Sequence, residues 1–235
     1  VGAIGMDAGS AYVTEDSEIH SFAVMEDAAF YAHREIVAGI SQRTEVVGRL
    51  SDDKYVVEAI EKLSESTQDQ TAFRLLTRNV LLQSGMSAQL SKVGDNHSRI
   101  ELAFSDGESL SLAELEPGED LLDALRRLLA DVAHAVSMEC VHIETVKPTI
   151  VCNALPNART DVYNLLLDIK DVLGLSVTTG PLAALVAAVI ARLDVNGLVV
   201  LLEAYRKPES AVRVLAELTG FSVGSLVRAG AAIRK

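Results

Sequence analysis

Apolar positions recur at helical spacing through most of this chain, and one stretch, Thr178 to Leu218, concentrates them. Leu182, Leu185, Val186, Val189, Ile190 and Leu193 follow the i, i+3, i+4 recurrence of a helix, with alanines at 183, 184, 187, 188 and 191 filling most positions between. Gly180-Pro181 is a natural opening, because proline at the first helical position has its φ preset. Asp194 is placed to cap a second helix ending near Tyr205, with Leu198, Leu201 and Leu202 along one side. A helix apolar over most of its circumference has to be covered. Ala183, Ala187, Leu198 and Leu202 are therefore candidates for an interface between subunits, or equally for a central core.

The rest of the pattern divides by period. Ala3–Met6, Ala11–Thr14 and Ile19–Val24 read as short strands, and Glu26–His33 as a short helix. Ser51 can cap a helix carrying Val56, Ile60 and Leu63, and Phe73, Leu76 and Val80 continue the period until Gly85. Ser98–Phe104 and Ser109–Leu115 read as a hairpin about Ser105-Asp106-Gly107-Glu108. A strong amphipathic helix begins at Glu119-Asp120 and carries Leu121, Leu125, Leu128 and Val132 inward. Val141–Val146 and Thr149–Cys152 are strand candidates, with Pro148 at a bend or edge between them, because proline breaks a central ladder. Thr160 to Gly174, Pro208 to Gly220 and Ser222–Ile233 complete the helices.

These elements predict an α+β protein with antiparallel sheet elements mainly in the N-terminal part and a helical C-terminal part. No regular βαβ repeat stands out. The expected division is residues 1–153 as an α+β region and 154–235 as an all-helical one, with a single α+β domain as the alternative.

Charge narrows the partners. Across 235 residues, 33 acidic against 21 basic side chains give a net charge of −12, and aromatics are 4% with no tryptophan. Such a surface repels phosphate backbones and offers few stacking platforms, so nucleic acid is not an expected partner. Arg192 and Asp194 interrupt the most apolar run after about half the roughly 20 residues a bilayer span requires, so no transmembrane segment is expected. Two cysteines, Cys140 and Cys152, are too few for a disulfide framework and suit a reducing, cytoplasmic setting.

Two constellations hold candidate chemistry. In Asp7-Ala8-Gly9-Ser10, Asp7 could organise Mg²⁺ or water while the Gly9-Ser10 backbone and hydroxyl meet a phosphate. The string is similar to the first phosphate loop of actin-like ATPases, over a few residues only and without a second phosphate loop; as a plain turn it requires no ligand. Cys140, His142 and Glu144 alternate onto one face of the strand expected there, and Cys152 could be a fourth ligand to a borderline-soft metal. The plainer reading makes them polar positions on a partly exposed strand and Cys152 a small core residue.

With no catalytic residue assignable, the expectation is a non-catalytic protein-interaction or assembly module that self-associates or binds another protein, without a cofactor. The alternative is a phosphate- or nucleotide-handling enzyme using Asp7, Gly9 and Ser10 with Mg²⁺ and a nucleotide.

Overall fold

In the computed structural model of the chain the described residues are 2–6, 9–13, 19–22, 25–47, 53–65, 69–91, 100–118, 120–138 and 141–233. The first three strands, β1 (Gly2–Met6), β2 (Gly9–Val13) and β3 (Ile19–Phe22), form an antiparallel sheet with Met6 opposite Gly9 and Tyr12 opposite His20. They lead into α1 (Met25–Val47), a single helix of 23 residues where the sequence supports only a short one. Beyond His33 only Val37, Ile40 and Ser41 are buried among its described side chains, too sparse a stripe to read as a period.

Two further helices, α2 (Asp53–Glu65) and α3 (Gln70–Gln83), precede the main sheet. Asp69 caps α3 by accepting the Ala72 N–H at 2.8 Å, and Phe73, Leu76 and Val80 make its buried side. Buried Asn79 on α3 donates its amide to His33 Nδ1 at 2.9 Å, pinning α1 to α3, and burial holds the His33 pKa below its usual value.

The main sheet has five strands in the order β4 (Ser87–Leu90), β5 (Leu102–Ser105), β6 (Leu110–Glu116), β7 (Val146–Cys152) and β8 (Thr178–Pro181). The first two pairings are antiparallel, whereas β6–β7 and β7–β8 are parallel. The crossovers are α4 (Leu121–Ser137) and α5 (Asp161–Leu173). This overturns the expectation of antiparallel strands in the N-terminal part and helices alone in the C-terminal part. The sheet is mixed, helices stand before as well as after its strands, and β8 lies well inside the stretch expected to be all-helical.

The physical reason lies in β7 and β8. Every residue of β8, and every residue of β7 except Lys147, is buried, so neither shows the in–out alternation that marks a half-exposed strand. Pro148 sits inside β7, not at a bend; at that position β7 pairs only with Leu112 of β6, because β8 begins opposite Thr149. The expected strand Val141–Val146 is replaced by a single 3-10 turn, Ile143–Thr145, before β7.

Four helices close the chain: α6 (Leu182–Ile190), α7 (Val195–Ala204), α8 (Pro208–Thr219) and α9 (Val223–Arg228). All nine residues of α6 are buried, and the helix packs against α1, α2, α3, α8 and β8. Ser41 Oγ on α1 donates to the Ile190 carbonyl at 2.8 Å, satisfying an acceptor that the end of α6 leaves without an intrahelical partner. Asp194 caps α7 through the Gly197 N–H, yet only Leu198 and Leu201 of α7 are fully buried, so the second helix of the apolar stretch is half-enclosed. Buried Tyr205 donates its hydroxyl to the Ala231 carbonyl at 2.6 Å, fastening the C-terminal segment. One hydrophobic cluster runs from Val37 to Ala231. Among the described residues, no helix is long and apolar enough to cross a membrane.

Candidate functional site

Parallel pairing and strand alternation put Glu114 and Glu116 of β6 on the face that α4 covers. Arg127 of α4 reaches down between them: Nε donates to Glu114 at 3.0 Å, Nη2 to Glu116 at 3.1 Å, and Nη1 to Asp123 one turn earlier. Glu114 is only 2% exposed. Burial pushes its carboxyl up to about 7; the Arg127 hydrogen bond pulls the other way, while the negative charges of Glu101 and Asp131 add to the rise. Glu101 in turn accepts the Leu115 N–H at 2.9 Å, and Gln70 bridges Glu101 and the Leu115 carbonyl. Each arm of the guanidinium is consumed by a carboxylate. The cluster fastens α4 to β6 and holds a proton near neutrality.

The helix α5 is the least enclosed of the longer helices. It buries Val162 and Ile169, and leaves Val172 80%, Leu173 59% and Leu167 58% exposed, with Leu165 also exposed. Leu165 and Val172, seven residues apart, stand on one flank of the buried stripe. On the other flank Tyr163, Leu166, Leu167 and Lys170 wall a groove of about 360 Å³ whose far side is Pro208 and Val214 of α8. The Tyr163 hydroxyl donates to the Pro156 carbonyl at 3.1 Å, and burial raises its pKa. Lys170, Arg206 and Lys207 line the same groove. Asp161, Asp168 and Asp171 are exposed along α5 itself.

The residues singled out in the sequence are not gathered at one place. Ala183 and Ala187 lie inside α6 and Leu198 inside α7, enclosed by the chain's own elements, and Leu202 is half-buried at the edge of the same core. Exposed apolar surface is found on α5, where Leu165, Val172 and Leu173 belong to the stripe whose helical period predicts burial. His142 and Glu144 are exposed at the turn before β7, while Cys152 ends that strand. The seven-residue strand that ends at Cys152 holds them apart by roughly 20 Å. Cys152 is fully buried, its Sγ 3.7 Å from the Gly180 carbonyl, and burial pushes the thiol up to about 12, the wrong direction for a thiolate ligand. Among the described residues no group of three His, Cys, Asp or Glu side chains could hold a metal. Cys140 lies outside the described residues, as does Asp7; Gly9 and Ser10 belong to β2, paired with Met6 and Gly5. No protein family and no curated protein matches this chain.

Proposed function

We propose that the chain is a non-catalytic assembly module that self-associates through α5 and the groove beside it. The observation that carries this reading is the exposed apolar surface of α5, where Leu165, Leu167, Val172 and Leu173 are all exposed within one helix. Leu165 and Val172 on one flank of the helix and Leu167 on the other leave apolar surface on both sides of its buried stripe, and exposed apolar surface of this kind marks contact sites. A second copy suits the site by charge. The groove carries Lys170, Arg206 and Lys207 against Glu203 and Glu209, a lining of net positive charge that Asp161, Asp168 and Asp171 of a second α5 complement, and a twofold axis makes every such contact twice. Lys207 sits at the N-cap of α8, where the helix dipole disfavours positive charge and an incoming carboxylate relieves it.

Light scattering on the purified chain at micromolar concentration tests this. The expected result is a discrete dimer that becomes a monomer in the double variant Leu167→Glu, Val172→Glu, with the thermal midpoint of the monomer unchanged because neither side chain is in the core. A wild-type chain that stays monomeric over that concentration range refutes the proposal.

A further inference from the structure

Between α1, the turn that ends α3 and the junction of α6 with α7 lies an open cavity of about 550 Å³, a size suited to a small organic ligand. Phe30 and Val37 of α1, Leu82 of α3 and Leu193 before α7 give it largely apolar walls. Its charged lining is Arg34, Arg192 and Asp194, a net positive charge on a chain whose total is −12. Asp194 already accepts the Gly197 N–H at 2.9 Å and faces the positive end of the α7 dipole.

The backbone is bent to bring Arg192 here. Helix α6 ends in a Schellman arrangement, the Arg192 N–H donating to the Val189 carbonyl and the Leu193 N–H to the Ala188 carbonyl, each at 2.9 Å. That places Arg192 in the left-handed region at φ +59°, and among the described residues it is the one non-glycine there. The left-handed residue ending α3, α5, α8 and α9 is glycine each time: Gly85, Gly174, Gly220 and Gly230. An arginine Cβ is disfavoured in this conformation, and the chain accepts that cost where the side chain lines the cavity. On α1, exposed Arg34 has its guanidinium 6.0 Å from the Tyr31 ring and meets no carboxylate among the described residues. Gln83, on the same wall as Leu82, has a buried Nε2 with no acceptor among them. Its broad terminal torsion lets that amide turn to an oxygen in the cavity.

We propose that this cavity binds a monocarboxylate with an apolar body, its carboxylate received by Arg34, Arg192 and the Gln83 amide and its hydrocarbon lying against Phe30, Val37 and Leu193. A guanidinium carries five N–H donors in a fork that fits a carboxylate, so it holds a ligand alongside neighbours in its own chain. Ser41 and Ser84, also in the lining, donate their hydroxyls to the Ile190 and Val80 carbonyls, which leaves recognition to the arginines and the amide. Two positive charges against Asp194 leave one to balance, favouring a monoanion over a dianion. The apolar walls select against a small hydrated anion, whose lost water they do not replace.

Amide chemical-shift mapping on the full chain, titrated at constant ionic strength with sodium octanoate and in parallel with octanol, sodium acetate and sodium phosphate, tests the proposal. The expected result is saturable shifts at Arg34, Gln83 and Arg192 with octanoate, and affinity at least about tenfold weaker for the other three. Arg34→Met should weaken octanoate about tenfold or more. Arg192→Gly should weaken it as much while the thermal midpoint stays at or above that of wild type, because glycine accepts the left-handed backbone; an arginine kept only for the fold would give the opposite. Shifts confined to the groove beside α5, equal affinity for octanol and octanoate, or undiminished affinity in both variants would overturn it. Arg34 is exposed, so its variant keeps the fold and decides alone should Arg192→Gly not fold.

Discussion

Replacing Glu114 by glutamine isolates the effect of keeping a carboxyl under α4. Its pKa rises from 4.5 to about 7 on folding, chiefly through burial. Between those two values the folded chain holds a proton that the unfolded chain has released, so stability falls as pH climbs through the window and levels off above it. At about 1.36 kcal/mol per pH unit, the difference amounts to roughly 3 kcal/mol of stability lost between pH 4.5 and pH 7.5. Glutamine keeps the shape and one acceptor for Arg127, and cannot ionise. Other titrating groups are common to both chains and cancel when the two are subtracted. Urea unfolding of wild type and Glu114→Gln at half-unit steps from pH 4.5 to 8 therefore checks the reasoning. The wild-type curve should drop relative to the variant by roughly 3 kcal/mol, with the steepest change near pH 5.5 to 6, midway between the two values. Curves that remain parallel would show that Glu114 ionises freely in the folded protein and that Arg127, not burial, governs it.

Two further substitutions probe the core. Ala187→Leu in α6 inserts three carbons where the side chain is fully enclosed and should destabilise the monomer by about 1–3 kcal/mol in urea; a change in oligomeric state without loss of stability would instead place Ala187 at a subunit contact. In a Cys140→Ser background, Cys152 should react with a thiol reagent at pH 8 only as fast as the chain unfolds, because its thiol is buried and its pKa lies near 12; rapid stoichiometric modification of native protein would contradict that burial.

The legible part of the fold is the part written in a single strong period. In α4 the stripe Leu121, Leu125, Leu128 and Val132 is interrupted by charge at 123, 126 and 127, and the structure buries that stripe. Caps such as Asp194 and terminators such as Gly174, at φ +68°, state helix ends directly. Legibility fails where burial is two-sided or nearly absent. The run TTGP of β8 is four residues, buried throughout, and flows into α6 without a loop, so it is read as the preface to a helix. In β7, Pro148 counts against a central strand, and only knowing where β8 begins removes the objection. The helix α5 misleads in the opposite sense. Its apolar residues at 162, 165, 166, 169, 172 and 173 trace a textured helical stripe as convincing as that of α4, yet the structure encloses only two of them fully. Sequence period reports which side chains prefer cover, not which chain supplies it.

The same distinction separates the two charged clusters from anything a motif scan could find. Arg34, Gln83 and Arg192 come from three separate parts of the chain, and nothing local marks them; helix packing alone brings them to one cavity. Glu114 and Arg127 meet because α4 returns across the strand that precedes it, a packing consequence of a βαβ connection that the local pattern does not mark. By contrast the strings that did stand out, Asp7-Ala8-Gly9-Ser10 and Cys140 to Glu144, owe their prominence to adjacency in sequence. Within β7 adjacency works against a shared site, since an extended strand carries residues apart by about 3.3 Å each and leaves Cys152 a strand's length from Glu144. In this fold, charged groups gather where elements pack, between residues remote in sequence.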